Sequence, residues 1–272
     1  MLTNYYFEQF KKIVYDNTGI TIPDNKKYFL EIRIKEHMLE LGIDSLKDYL
    51  VMLKTDKMVL KEFISKVTVN ETYFYREFFH LKALAYLVQT ENLGSPIRVL
   101  SIPSSTGEEP YSIAIVLKEV LGFRPFSITA VDIDINALKK AKEGLYNYRS
   151  ISKLPEAYLN KYFDIIDDNT FKIKDNIKKY VKFYEGNILD ERFIKSLGKF
   201  QYIFCKNLLI YFDRPAKIKA VNNLYDILVG GGYLFLGHAE SLSGISSLFE
   251  PVKINDAIVY KKPIKEEEDE FF

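Results

Sequence analysis

Along residues 4–78 the apolar positions recur every three or four residues and do not alternate. In FEQFKKIVYDNTG they fall at Phe7, Phe10, Ile13 and Val14, one face of a helix that Asn17 and Gly19 end. Pro23-Asp24 opens a second helix, in which Leu30, Ile34, Met38 and Leu41 form a stripe and Gly42 is placed as C-cap. A third helix starts at Ser45-Leu46, and a fourth covers Lys57 to Ser65. The expectation is an all-α domain over residues 1–80.

From Ile97 the pattern changes. IRVLSI, FSITAVDI, VKFYEG, FQYIFC and GGYLFLGH are short apolar, β-branched or aromatic runs, most of them separated by helical patterns over 110–121, 135–143, 191–197 and 214–228. This alternation predicts a Rossmann-like α/β domain over 81–262, with a mainly parallel sheet covered on both faces. GGYLFLGH and AIVYKK have only a loop between them, which suits an antiparallel edge. Over about 147–179 the alternation breaks. There YLNKYFDIIDDNTFKIKD reads as strand, Asp-Asp-Asn turn and strand, a small antiparallel β-subdomain inserted in the α/β unit. The tail, 263–272, is acidic and predicted to be disordered.

Charge is balanced, 38 Lys and Arg against 37 Asp and Glu, so a basic footprint for nucleic acid is absent at whole-chain level. One cysteine, Cys205, excludes an intramolecular disulfide framework and fits a reducing compartment. No apolar run nears the roughly 20 residues that span a bilayer, and no metal site is read. A cytoplasmic protein without membrane insertion is expected.

Candidate chemistry sits where an open parallel sheet binds ligands, outside the C-terminal ends of its strands. The turn SIPSSTGEEP after the first strand has one glycine, Gly107, and two carboxylates, Glu108 and Glu109. Such a turn repels a pyrophosphate and suits a cationic ligand, although glutamates in any first helical turn also favour the helix dipole. Asp132 ends the second strand, where two carboxylate oxygens match a ribose diol; Asp134 fits better as a helix N-cap. An acidic, glycine-poor turn followed by a ribose-binding acid fits S-adenosylmethionine, with its ammonium and sulfonium, better than NAD or FAD. In CKNLLIYF, Cys205 reads as a small buried hydrophobe, and Asn207 and Tyr211 bring polar groups near the cleft. VTVNETYFYREFFH reads on its own as a helix capped by Asn70 or Thr72, with Arg76 solvated.

Taken together and in this order, TVNETYFYRE, SSTGEEPYSIA, AVDIDINALKKAKEGLY, IFCKNLLIYFD and GGYLFLGHAESL resemble the chemotaxis receptor methyltransferase (CheR) family over nearly the whole chain. The resemblance implies methyl transfer from S-adenosylmethionine, leaving S-adenosylhomocysteine, to glutamates on the cytoplasmic helical region of chemoreceptors. It implies that Asn70, Thr72 and Arg76 close over the cofactor, with Arg76 near the methyl group. Glu108 or Glu109 would meet the ammonium and Asp132 the ribose. Asn187 and Ile188 would flank adenine, Lys206 and Asn207 would line the site, and Tyr211 would sit beside the reacting centre. The β-subdomain matches the part that in some members docks a receptor's C-terminal tether peptide. Ile102-Pro103 departs from the small residues usual before STGEE, and Lys206 and GHAES from the commoner arginine and GHSES.

On the second helix, Lys26, Arg33 and His37 are spaced to share one face, a candidate dock for an acidic receptor helix or simply a solvated surface. Two alternatives to receptor methylation stay open: a cofactor-sensing or receptor-binding module with little turnover, and a carboxyl methyltransferase of a non-receptor protein.

Overall fold

The computed structural model describes residues 2–264; the acidic tail, but for its first two residues, lies outside them. Four helices come first: α1 (Asn4–Thr18), α2 (Lys27–Leu41), α3 (Leu46–Thr55) and α4 (Lys57–Val67). Thr3, Ser45 and Asp56 cap α1, α3 and α4 through their side-chain oxygens, and a short 3-10 turn leads into α2. The apolar stripes close on one core in which Phe10, Leu30, Tyr49 and Phe63 are fully buried.

The next helix, α5 (Phe78–Thr90), buries Leu81, Leu84, Leu87 and Val88 in the core of the α/β unit. A division at residue 80 therefore cuts α5, which belongs by its packing to the sheet. There follow β1 (Ile97–Ser101), α6 (Glu108–Leu121), β2 (Phe126–Asp132) and α7 (Ile135–Glu143). The inserted subdomain holds β3 (Leu145–Tyr146), α8 (Tyr148–Ile151), α9 (Glu156–Tyr162), β4 (Phe163–Asp167), β5 (Thr170–Ile173) and α10 (Asp175–Lys178). The chain then returns through β6 (Val181–Glu185), α11 (Glu191–Ser196), β7 (Phe200–Cys205), α12 (Arg214–Ile227), β8 (Leu228–Leu236), β9 (Glu250–Ile254) and β10 (Ala257–Lys261).

The main sheet has the order β6-β2-β1-β7-β8-β10-β9. Its strands are parallel from β6 to β8, and β10 runs antiparallel to both β8 and β9. Strand order reverses between β1 and β7, so a crevice opens beyond their C-terminal ends. Two sequence expectations are corrected. The stretch before β10 contains a strand, β9, whose Pro251 is tolerated because the strand is at the edge. Residues 158–162 form the end of α9 and not a strand: Tyr158 and Tyr162 sit one helical turn apart, ring centroids 5.9 Å from each other. The subdomain is a three-stranded sheet of order β3-β5-β4.

The helical unit is fastened over the strand ends. Ile20 bridges to Phe212, the Thr21 amide donates to the Tyr211 carbonyl (2.9 Å), and Asn187 Nδ2 donates to the Asn17 carbonyl (2.8 Å). It forms a roof for whatever lies in the crevice.

Candidate active site

The turn after β1 is held against the end of β2. The Ser104 amide donates to the Val131 carbonyl (2.8 Å) and the Ser105 amide to Asp132 Oδ2 (2.6 Å). Gly107 has φ +96°, and a Cβ there would lie 2.9 Å from Tyr146 Oη and 3.0 Å from Ala141 Cβ, so only glycine fits. Successive residues of α6 then point about 100° apart. Glu109 accepts from Ser101 Oγ (2.9 Å) and lies 3.2 Å from Lys206 Nζ, on the wall of a cavity of about 120 Å3. Glu108 turns the other way. It is 3% exposed, accepts from Thr106 Oγ1 (2.6 Å) and Ser150 Oγ (3.1 Å), and burial raises its carboxyl. It borders a separate cleft of about 690 Å3 between residues 70–73, α7 and the subdomain. The two glutamates therefore face different cavities, which meet at Glu71 and Thr72.

The segment 69–77 is not the expected capped helix; the helix starts only at Phe78. Asn70 Nδ2 donates to Asp134 Oδ2 (2.5 Å), and Asn70 Oδ1 accepts from Ser105 Oγ (2.9 Å). Asp134 is the N-cap of α7, accepting from the Asn136 and Ala137 amides. Phe74 is fully buried edge-on to Tyr146 (4.8 Å) and Phe163 (5.1 Å), and the Tyr75 amide donates to Ser112 Oγ (3.0 Å). These anchors bring Arg76 to the small cavity, beside Val69, Thr72, Pro103, Asn207 and Tyr211. Arg76 Nη1 donates to the Glu71 carbonyl (2.5 Å).

Lys206, at the exit of β7, closes the floor. Its side chain is 5% exposed, and Nζ lies 3.1 Å from Glu77 and 3.2 Å from Glu109 and donates to the Arg76 carbonyl (3.3 Å). Burial alone would raise the Glu77 carboxyl. His80, Lys206 and the His238 amide instead hold it far below the usual carboxylate range. Burial lowers His80, which keeps its ring neutral.

Pro103 also borders a narrow apolar slot lined by Ile20, Ile102, Ile133, Ile188 and Phe212, with Asp132 and Asn187 at its edge. Asn187 is engaged at both ends, donating to Asn17 and accepting from the Leu189 amide (2.8 Å). Burial pushes Asp132 up to about 6, against the backbone amides of Asp134 and Ser105, which lower it.

The structure thus brings Thr72, Arg76, Glu109, Lys206, Asn207 and Tyr211 to one cavity, and Asp132, Asn187 and Ile188 to the adjoining slot. Asn70 borders the larger cleft with Glu108. The basic face on α2 is corrected. His37 lies three residues after Ile34 and one before Met38, inside the apolar stripe; it is 1% exposed, with Nδ1 2.7 Å from Tyr49 Oη. Arg33 is half-buried and paired with Glu36 (2.9 Å), and Lys26 sits in the turn before the helix. Sequence reasoning missed Glu77, whose only signal is a lone acid in the aromatic run FYREFF, and the anchors Phe74 and Tyr75.

A mainly parallel sheet, a crevice at the strand reversal and an acidic turn after β1 define the Rossmann-like fold of S-adenosylmethionine-dependent methyltransferases. The family profile described as "CheR methyltransferase, all-alpha domain" matches residues 6–68, and "CheR methyltransferase, SAM binding domain" matches residues 70–258. The chain belongs to the CheR methyltransferase family, and its cofactor is S-adenosylmethionine. Chemotaxis protein methyltransferase 2 of Vibrio cholerae is 37% identical over 279 residues, covering 99% of this chain and 97% of that protein. The chemotaxis protein methyltransferase of Borreliella burgdorferi is 36% identical over 252 residues (87% and 88%), and that of Escherichia coli 31% over 255 residues (91% and 88%).

Replacing Lys206 by methionine leaves the partly buried Glu77 and Glu109 carboxylates without their counter-charge. The expected cost is about 3–5 kcal/mol of folding stability. Urea denaturation of the ligand-free protein checks it, and Lys206→Arg restores most of the loss.

Proposed function

We propose that the chain transfers the methyl group of S-adenosylmethionine to glutamate side chains on the cytoplasmic helical region of chemoreceptors, forming methyl esters in chemotactic adaptation. The observation that carries this reading is the small cavity, which has an excess of carboxylate on its floor and Arg76 with Tyr211 on its wall. The names of the relatives support the receptor as acceptor. The protein then works in the cytoplasm, where those helices lie; among the described residues no helix is long and apolar enough to cross a membrane.

The donor set suits the cofactor. Asp132 offers carboxylate oxygens for a ribose diol, Ile188 and Phe212 offer apolar surface for adenine, and Glu109 would face an ammonium. When bound, S-adenosylmethionine supplies an electrophilic methyl group on a sulfonium. Glutamate is already ionised at neutral pH, so it needs no base. Arg76 and Tyr211 orient the acceptor carboxylate and help to exclude water, which is where proximity lowers the barrier. Arg76 is restrained by the Glu71 carbonyl, so it positions the acceptor without fully neutralising it.

A receptor tether peptide would add to the subdomain at β4. That strand ends its sheet, and Ile165 and Ile166 on it are 56% and 57% exposed.

Incubation with methyl-labelled cofactor and a receptor signalling fragment is expected to give label that mild base releases as methanol. Cofactor binding without label on any receptor fragment of the same cell would reject the reading in favour of a binding module. Arg76→Ala is expected to cut turnover by about a hundredfold while leaving calorimetric cofactor affinity largely intact. An affinity loss matching the whole rate loss contradicts the positioning role.

The ribose contact sets a pH dependence. Protonation of Asp132, pushed to about 6 in the ligand-free protein, removes an acceptor. Cofactor affinity is therefore expected to level off above about pH 7 and to fall up to about tenfold per unit below about pH 6. Calorimetry across this range checks it, and Asp132→Asn flattens the profile.

A further inference from the structure

We propose that Glu240 is a positioning residue, whose carboxylate holds the loop after β7 in the shape that presents Lys206, Asn207 and Tyr211 to the cavity. The proposal rests on methyl transfer from S-adenosylmethionine at this cavity, not on the identity of the acceptor.

The loop has an unusual backbone. Asn207 has φ +58°, a left-handed conformation rare for a residue with a side chain, and Leu208 returns to the right-handed region with φ −116° and ψ −48°. Left-handed and right-handed residues in succession turn their amides toward one point and make a concave nest for an anion. The anion here is a side chain of the protein. Glu240 Oε2 accepts from the Asn207 amide (2.7 Å), and Oε1 accepts from the amides of Leu208 (2.9 Å) and Ile210 (3.3 Å). Oε2 also accepts from the Gly237 amide (2.8 Å), at the exit of β8. One carboxylate thus joins four amides from two neighbouring strand exits, and three of them belong to the loop that carries the site.

The approach is close enough to require glycine at 237. A Cβ there would lie 2.7 Å from Asn207 Nδ2, 2.7 Å from Glu240 Oε2 and 2.9 Å from the Asn207 amide nitrogen. The far end of the loop is tied to the helical unit by the Ile20–Phe212 bridge and the Thr21 amide on the Tyr211 carbonyl, but these do not reach the left-handed turn at Asn207. Lys206 is fixed by its own ion pairs, but the short 3-10 turn Leu209–Tyr211 has no side-chain cap of its own. Glu240 takes the place of that cap from outside. Its side chain does not line the cavity, so it acts through the loop and not on the reacting atoms.

Glu240→Gln keeps the shape but puts an NH2 group where the nest needs acceptors. Expected are a fall in kcat of about tenfold to a hundredfold, a weaker calorimetric affinity for S-adenosylhomocysteine, and a thermal midpoint close to that of the parent. In amide NMR spectra the Asn207, Leu208, Ile210 and Gly237 protons are expected downfield, as charge-assisted hydrogen bonds require, and to move upfield in the variant. Parental kcat, affinity and amide shifts in folded Glu240→Gln would overturn the proposal. So would a lowered thermal midpoint with kinetics per folded molecule unchanged. If Glu240→Gln does not fold, Glu240→Asp decides: parental kinetics reject the role, and lowered kcat in a folded protein supports it. If the parent protein methylates no receptor fragment, the acceptor reading fails alone, because the inhibitor affinity and amide shifts still test Glu240.

Discussion

A single ammonium group, that of Lys206, lies between the carboxylates of Glu77 and Glu109, and the site is arranged around it. The three residues come from the segment before α5, the first turn of α6 and the exit of β7, so this contact fixes three otherwise separate elements together. A buried ion pair is a weak source of stability in itself, but removing one partner is expensive. Here two carboxylates face one ammonium, with His80 kept neutral by burial. The floor therefore carries a net negative charge in a place with little water. The carboxylates of the floor suit a sulfonium cofactor with an ammonium better than a pyrophosphate, with Arg76 across the cavity as the second cation.

The helical unit is part of the same device. Thr18 and Ile20 border the slot next to Asp132 and Ile188, and the Asn17 carbonyl holds Asn187. On the other side, Thr68 Oγ1 and Asn70 Nδ2 both donate to Asp134, the cap of α7. The roof is thus tied to the sheet at both edges of the slot. An Asn70 that caps nothing in its own segment makes sense in this light. Its amide is the tie, and the cavity is shaped by the backbone it restrains.

Much of the fold could be read from the chain because the sheet is buried on both faces, so β1, β2, β7 and β8 appear as continuous apolar runs. The elements that were misread lie at margins. β9 carries a proline and alternating charge that only an edge tolerates, and α9 carries tyrosines that look β-forming until their spacing of four is noticed. Within the site, residues at strand exits could be found from position alone. Glu77 and Phe74 could not, because their roles depend on Lys206, Tyr146 and Phe163, which are distant in sequence. His37 shows the opposite failure. A charge-based reading of the face overrode the periodicity, which already placed it inside.

The adjacent pair Glu108 and Glu109 links the two working regions of the molecule. One residue of helical rotation separates them, so Glu109 reaches Lys206 while Glu108 reaches Thr106 and Ser150 at the base of the subdomain. Phe74 repeats the link two residues before Arg76, with its ring against Tyr146 and Phe163 of the subdomain. The subdomain and the cavity therefore share a wall, made of the α6 turn and the segment 70–77. Where Phe74 meets Tyr146 and Phe163 this wall is closely packed, while the cleft of about 690 Å3 opens beside it. A peptide docked at β4 would be linked to Arg76 through these ring contacts. Such a link would let a tether add local concentration of acceptor beside the cavity.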